Sequence, residues 1–335
     1  MSETVVGADL GGTSTRVVVA SREGLVLGRG RAGAGNPVSS PATAAGALGE
    51  ALGQAMAEAG SPRVGRVVLG VAGASALREG PVAAGFAAAL AGCGVDAAPE
   101  YLPALTVAHA AGSPDPDGLV LIAGTGASAG VVRDHVLTRT AGGHGWLLGD
   151  EGAGFWLGRE AVRALLADLD AGRPPGRLGA DALTALVGDD GGSSAPGDLD
   201  DGERVRRQVV QAVHALAPVR LADLAPLVVR AAADGDPGAV DVVARAADAL
   251  ADLVLTDLVR TDLVRGVAPA HPVDLVVAGG LLGDGLPLRV ALDERVARHG
   301  GVRVRTAGPG ELGAAWLALG ASPSLRAPLG LIPCH

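Results

Sequence analysis

Short apolar runs broken by glycine-rich turns dominate the first 30 residues of the chain. Two such runs on either side of a Gly/Ser/Thr turn are typical of a β-hairpin. The pattern predicts three strands in succession, over residues 5–9, 16–20 and 24–28.

Helical spacing follows these strands. Residues 42–59 are rich in alanine, and Leu48, Leu52 and Met56 recur every four residues, which predicts a helix with one apolar face. A further strand and a further helix are predicted over 67–70 and 80–92.

The opening pattern recurs after a turn-rich break at 113–118. An apolar run over 119–123 is followed by the turn 124–128, and strands over 129–132 and 135–140 come next. A strand, a Gly/Thr/Ser turn and two more strands therefore occur twice. This repetition indicates a duplication within an α/β protein.

The rest of the chain is mainly helical in pattern. Residues 158 to about 265 predict helices, interrupted by an Asp/Gly/Ser-rich stretch at 189–202 that we expect to be a mobile loop. The last predicted elements are a strand over 273–278, a helix over 286–298, a strand over 302–304 and a helix over 311–320.

Composition narrows the range of partners. The 335 residues correspond to about two domains, and the net charge of −9 argues against nucleic acid, because phosphate binding needs clustered basic residues. No apolar run approaches the roughly 18–20 residues of a membrane span, and the start lacks the basic segment of a signal peptide. Cys93 and Cys334 fit neither a disulfide framework nor a metal site. We expect a cytoplasmic protein that binds neither nucleic acid nor membrane.

The first candidate site is the turn after the first strand, Asp9 to Thr15. Gly11 and Gly12 would let the backbone approach an anion closely, with further donors from the Thr13 and Ser14 hydroxyls. Asp9, at the strand end, could hold a water bound to Mg²⁺. The alternative is an ordinary glycine-rich hairpin turn.

The second copy of the pattern carries a similar turn, with Thr125 and Gly126. One such turn is weak evidence, whereas two turns between strands suggest a pair of hairpins that face across a cleft. Such a pair could hold the phosphates of one nucleotide between them.

Residues 142–156 combine six glycines with two tryptophans and an acidic pair. Trp146 offers an apolar face for a sugar ring, and Asp150 or Glu151 could accept hydrogen bonds from its hydroxyls. Glu151 could instead stabilise a helix N-terminus.

Farther along, Gly279 and Gly280 end a strand and could leave room for an adenine, or form a plain strand–helix turn.

Taken together, these four motifs resemble the actin/hexokinase-fold ATPases. Within that superfamily they resemble the N-acetylglucosamine kinase-like group of the BadF/BadG/BcrA/BcrD ATPase family, most specifically in the stretch 142–152. The resemblance implies a ribonuclease H-like α/β fold of two domains with a cleft between them. The implied parts are an N-terminal subdomain over 1–116, a second subdomain with a helical insertion over 117–310, and a helix over 311–330 that returns to the first.

The resemblance also implies a reaction: the transfer of phosphate from ATP, with Mg²⁺, to an amino sugar, with the 6-hydroxyl of N-acetylglucosamine as the leading acceptor. Related proteins suggest a homodimer. Asp9 and the first turn would serve the metal and phosphates, the second turn the phosphates, and Gly279 and Gly280 the adenosine. The implied sugar-binding residues are Asn36, Gly73, Ala74, Gly143, Gly145, Trp146 and Asp150.

One position departs from the family pattern. The family's general base is an Asp before a short apolar helix, and in this chain the corresponding position is Ala104. Three explanations are open: an Asp-to-Ala substitution that traps substrate, a natural sugar-binding regulator without catalysis, or a base moved to Asp115, Asp117 or Asp150. His109 would project from a different face of the helix.

A different branch of the family activates dehydratases or reductases. That function needs cysteines for an iron–sulfur cluster, and neither Cys93 nor Cys334 lies in a sequence that resembles a cluster loop. The kinase and the regulator are therefore the two main hypotheses.

Overall fold

Two five-stranded sheets form the framework of the protein. The computed structural model describes residues 3–77, 80–188, 199–255 and 272–331. The first sheet has the strand order β3-β2-β1-β4-β5. Its strands are β1 (Thr4–Leu10), β2 (Thr15–Ala20), β3 (Val26–Ala32), β4 (Val64–Val71) and β5 (Pro99–Pro103).

The second sheet repeats the plan of the first. Its order is β10-β9-β6-β7-β8, and its strands are β6 (Gly118–Ala123), β7 (Ala127–Arg133), β8 (Val136–Gly142), β9 (Val273–Ala278) and β10 (Val302–Thr306). In each sheet the first strand pairs antiparallel with the next strand in sequence and parallel with a later one. The repeat read from the sequence is thus a repeat of sheet topology.

Helices surround both sheets. The first half contains α1 (Ala44–Glu58), α2 (Pro81–Gly92) and α3 (Ala104–Gly112). The second contains α4 (Gly154–Asp170), α5 (Arg177–Val187), α6 (Leu199–Ala215), α7 (Ala225–Ala233), α8 (Pro237–Val254) and α9 (Pro287–His299). The chain ends with α10 (Gly310–Ala318) and the single turn α11 (Arg326–Leu329). Short 3₁₀ turns occur at Ala74–Leu77, Pro218–Leu224, Gly280–Leu282 and Pro323–Leu325.

Small residues let α1 lie very close to the first sheet. A side chain at Gly28 or Gly30 would overlap the carbonyl oxygens of Ala55 and Ala51. The apolar face predicted from Leu48, Leu52 and Met56 is buried there, which excludes water from one side of the sheet.

Helices α3 and α10 cover the other side of the first sheet and contact each other. A Cβ at Gly313 in α10 would overlap the Val107 carbonyl in α3, and a Cβ at Gly7 in β1 would overlap the backbone of α10 at Ala315. Helix α3 also packs against the second sheet through Leu105 and Ala108, which cluster with Val120. It therefore joins the two halves.

The C-terminal segment fixes the far end of α3. The buried Arg326 guanidinium donates hydrogen bonds to the carbonyls of Ala110 (2.7 Å), Ala111 (3.2 Å) and Ser113 (3.2 Å). It also stacks on Trp316, 4.6 Å from the ring centroid. A cation is favourable at a helix C-terminus, so α11 stabilises the junction helix.

One expectation needs adjustment in the helical region. Of the predicted loop at 189–202, residues 189–198 lie outside the described part of the chain, whereas α6 begins at Leu199, so the loop does not extend to 202. Among the described residues, no single helix is long and apolar enough to cross a membrane. A bent pair, Gly202–Ala215 with Pro218–Ala233, passes on length and composition, with 118° between its helices.

Candidate active site

Strand direction brings the first set of site residues together. Strands β1, β4 and β5 are parallel neighbours, so their carboxyl ends lie at one edge of the first sheet. Asp9 lies near the end of β1 and the first turn follows it, the loop that contains Gly73 follows β4, and Ala104 directly follows β5. Helix α3 begins at Ala104, so the proposed base position lies at this edge.

Backbone hydrogen bonds join the first turn to its neighbouring loops. The Gly35 and Asn36 amides both donate to the Gly11 carbonyl, at 3.0 and 3.1 Å, and the Ala72 amide donates to the Leu10 carbonyl at 3.0 Å. The loop with Asn36 and the loop after β4 are therefore held against the turn proposed for phosphates.

The first turn is open to solvent. It is closed by a hydrogen bond from the Gly11 amide to the Ser14 carbonyl, at 2.9 Å. Gly12 and Thr13 are exposed, and no described atom lies within 4 Å of where a Gly12 side chain would begin. An anion could approach this backbone closely.

Asp9 lies beside a second carboxylate that sequence reasoning missed. A Cβ at Gly310 would lie 2.7 Å from Asp9 Oδ2, so the Asp9 carboxylate lies against the start of α10, next to Glu311. Burial, and then the Glu311 charge, raise the pKa of Asp9 to about 6 against the opposing effect of Arg16. Carboxylate oxygens are ligands that Mg²⁺ prefers, so these residues fit the metal that the family resemblance implies.

The second turn is held by a distant acid. Its Gly124 amide donates to the Gly126 carbonyl (2.9 Å), and Asp150 Oδ1 accepts from the Ala127 amide (3.0 Å). A Cβ at Gly126 would lie 2.5 Å from Asp150 Oδ2. The structure thus places Asp150 on the second turn, where its carboxylate holds the turn backbone.

The N-terminus of α4 adjoins the same turn. The Gly154 and Phe155 amides donate to the carbonyls of Gly124 (2.8 Å) and Thr125 (3.0 Å). The positive end of this 17-residue helix therefore lies next to the second turn, which favours negative charge there. Glu151 precedes the helix in an exposed position.

The glycine-rich loop borders the second turn. The Gly143 amide donates to the Ala127 carbonyl at 2.8 Å, and Gly143 and Gly145 have positive φ angles of 70° and 82°. Trp146 is 40% exposed and packs against Phe155 with ring centroids 5.4 Å apart. An aromatic face is available to a ligand at this point.

Asn36 and Gly73 are neighbours in the loops of the first half of the molecule. Asn36 Oδ1 accepts from the Val38 amide at 2.8 Å, so its amide nitrogen is the group left for a ligand. A Cβ at Gly73 would lie 3.3 Å from Asn36 Oδ1, and Gly73 has φ +81°. Ala74 starts the next 3₁₀ turn.

The two glycines after β9 differ in their surroundings. Gly279 has φ +114°, and its Cβ would overlap the backbone of Ala123. Gly280 has no described atom within 4 Å of its Cβ position. Only Gly280 leaves space for a ligand such as adenine, whereas Gly279 is needed for the packing of two strand ends.

Two of the alternative bases lie far from the first turn. Asp115 and Asp117 follow the other end of α3, whose nine residues span about 13 Å. Asp117 accepts from the Asp134 amide at 2.9 Å and lies 3.6 Å from Arg133. Of the three candidates, Asp150 alone adjoins one of the two turns.

His109 is fully buried where α3 meets the second sheet. A Cβ at Gly118 would overlap its ring, and neither ring nitrogen has a hydrogen-bond partner among the described residues. Burial lowers its pKa to about 4. A histidine in this position packs the junction between the two halves.

The comparison with known families decides the family. Residues 6–318 match the model of the BadF/BadG/BcrA/BcrD ATPase family. The chain belongs to this family. No curated protein sequence matches it significantly.

Solved structures of the same fold extend over almost the whole chain. A candidate N-acetylglucosamine kinase from Chromobacterium violaceum superposes with a TM-score of 0.70 at 22% identity, covering 95% of this chain and 99% of that one. A second candidate from Porphyromonas gingivalis gives 0.62 at 20% identity, with coverages of 93% and 98%. A ROK-family glucokinase from Streptomyces griseus, in complex with glucose and AMPPNP, gives 0.56 at 18%, with 94% and 98%. The predicted actin-like/hexokinase ATPase fold is confirmed.

Proposed function

We propose that this ATPase-family protein is built to transfer phosphate from ATP to a sugar hydroxyl, with the 6-hydroxyl of N-acetylglucosamine as the leading acceptor. One observation carries the proposal: the Gly35 and Asn36 amides donate to the Gly11 carbonyl. This link holds a polar side chain suited to sugar hydroxyls directly beside a turn suited to phosphates. The candidate kinases of the same fold support the choice of sugar.

The roles of the residues follow from their positions. The first and second turns would contact the phosphates through backbone amides, and the Thr13, Ser14 and Thr125 side chains would add hydroxyl donors. Mg²⁺, when bound, would neutralise phosphate charge, and Asp9 would hold it, directly or through water. Gly280 would leave room for the adenosine.

The sugar side involves both halves of the molecule. Asn36, Gly73 and Ala74 would contact the sugar from the first half, and Gly143, Gly145 and Trp146 from the second. Asp150 would act mainly by fixing the second turn, because one of its oxygens already accepts from Ala127. The acceptor hydroxyl would lie near Ala104, at the start of α3.

Ala104 favours a second candidate function. A methyl side chain cannot take the proton of the attacking hydroxyl, and loss of a general base typically lowers the rate by about 10²–10⁴-fold. A protein that binds sugar and ATP without appreciable turnover could serve as a sugar-dependent regulator. Both functions share the same binding site and differ in catalysis.

Thermal unfolding with ligands tests the shared site without requiring turnover. N-acetylglucosamine, glucosamine, N-acetylmuramic acid and glucose would each be tested with and without AMPPNP and Mg²⁺. A ligand present at 100 times its Kd stabilises the native state by about 2.7 kcal/mol, so we expect a higher Tm with N-acetylglucosamine. If the nucleotide raises Tm but no sugar does, the sugar assignment is wrong and the ATPase assignment stands.

A further inference from the structure

We propose that Glu311 is a second carboxylate of the metal centre, which together with Asp9 holds the water shell of the Mg²⁺ that accompanies the nucleotide. The inference rests on the proposed ATP-dependent function and adds a residue to it. Glu311 lies 302 positions after Asp9 in sequence.

The first reason is an unsatisfied buried oxygen. Glu311 is only 6% exposed, and its Oε2 atom is buried without a hydrogen-bond partner among the described residues. A buried carboxylate oxygen without a hydrogen-bond partner is costly, because it loses its hydration without replacement. Water molecules around a bound cation would supply the missing hydrogen bonds, since Mg²⁺ usually keeps several of its waters.

The second reason is where Glu311 lies in the fold. Glu311 is in the first turn of α10, directly after Gly310, where a Cβ would lie 2.7 Å from Asp9 Oδ2. Two carboxylates close to each other repel. A hydrated divalent cation bound near both of them would offset that repulsion.

Arg29 offers a purely structural explanation for Glu311. Its Nη1 lies 3.8 Å from Glu311 Oε1, and its side chain is half-exposed. This separation exceeds a hydrogen bond, and it leaves Oε2 unpartnered. The two explanations make opposite predictions for a neutral, isosteric replacement.

Metal binding measured directly separates them. Mn²⁺ would be titrated into the full chain in the presence of ADP, with bound metal followed by electron paramagnetic resonance, for the wild type, Glu311→Gln and Glu311→Asp. Glu294→Gln, an exposed position on α9, serves as the matched control. Tm without metal would be measured for every variant.

The expected result is selective loss of metal binding. Glu311→Gln should weaken Mn²⁺ binding by about tenfold or more, as is typical when an outer-shell partner of a metal is removed. Glu311→Asp should retain part of it, and Glu294→Gln should match the wild type. The Tm of Glu311→Gln without metal should equal or exceed that of the wild type, because the mutation removes a buried charge whose Oε2 atom has no hydrogen-bond partner among the described residues.

Three results would overturn the inference. If Glu311→Gln binds Mn²⁺ as tightly as the wild type, Glu311 does not serve the metal, while the ATPase assignment stands. If Glu311→Gln instead unfolds at a lower temperature and Arg29→Met does the same, the ion pair is the role of Glu311. A wild type that binds no Mn²⁺ with ADP would contradict both this inference and the proposed function.

Discussion

The two halves of the molecule build the same turn with different chemistry. Leu10 and Ala123 are the last strand residues before each turn, so Ile122 stands in the second half where the first half has Asp9. The second turn takes its acid from a distant loop, through Asp150. The Asp9 carboxylate lies against the start of α10, whereas Asp150 uses one oxygen to hold the turn itself.

The parallel strands beside the two turns, β4 and β9, also end differently. Val71 pairs regularly with Leu10 in the first half. The residue after Ala278, which pairs with Ile122, is Gly279, and there the chain leaves the strand with φ +114°. The first half therefore has an acid next to its strand end, whereas the second half has an apolar residue at that position and a glycine beside it.

The largest effect should come from Gly279→Ala. Its Cβ would overlap the Ala123 backbone at a φ angle that favours glycine, so we expect a loss of about 3–4 kcal/mol in the free energy of unfolding. Gly280→Ala, which has open space, should unfold like the wild type and instead weaken nucleotide binding. Chemical denaturation of both variants checks this. Equal stability of the two would show that the second strand end is not tightly packed.

The junction between the halves should be sensitive to acid through His109. Its folded pKa of about 4 lies below the ordinary 6.5, so the fold favours neutral histidine. The stability that this contributes is present above pH 6.5 and is lost as the pH falls towards 4. The loss is on the order of 3 kcal/mol, at about 1.4 kcal/mol per pKa unit.

Four charged or titratable groups also affect the pKa of His109, so the experiment compares the wild type with a variant that lacks the imidazole. His135 and Arg326 lower the pKa of His109, whereas Asp274 and Asp115 raise it. Urea denaturation of the wild type and His109→Leu between pH 4 and 7 should give a difference in stability that changes with pH. A difference that is constant over this range would mean that His109 titrates normally in the fold.

A smaller effect should distinguish the two acids. Asp9→Asn should weaken Mg²⁺-dependent nucleotide binding by about 10–100-fold, the range for residues that support a metal. Asp150→Asn should change it less than about threefold, because the amide oxygen can still accept from the Ala127 amide. Calorimetric titration with AMPPNP and Mg²⁺ compares them. Equal losses of affinity in the two variants would mean that the Asp150 carboxylate supports the metal as much as the Asp9 carboxylate does.

Local patterns in the sequence were sufficient for the framework. The hairpin of β1 and β2, its repeat in β6 and β7, and helix α1 follow from alternating apolar runs and from four-residue spacing. These signals lie within a few residues of one another. Element ends were less well defined, since the strand predicted over 24–28 extends from Val26 to Ala32.

Contacts between distant residues could not be predicted in this way. Nothing near Asp9 in sequence indicates Glu311, and nothing near Ala127 indicates that Asp150 holds its amide. Arg326 caps α3 from 213 to 216 positions away. Such contacts depend on how the two sheets and their helices pack, which a single sequence does not encode as a periodic pattern.

A carboxylate introduced at position 104 tests the account most directly. Ala104→Asp places an acid at the start of α3, beside the turn that carries Asp9. ADP release with N-acetylglucosamine, ATP and Mg²⁺ should rise by about 10²–10⁴-fold over the wild type, and glucosamine, N-acetylmuramic acid and glucose in the same assay would define the sugar. A variant that binds both sugar and nucleotide yet forms no sugar phosphate would contradict the kinase assignment.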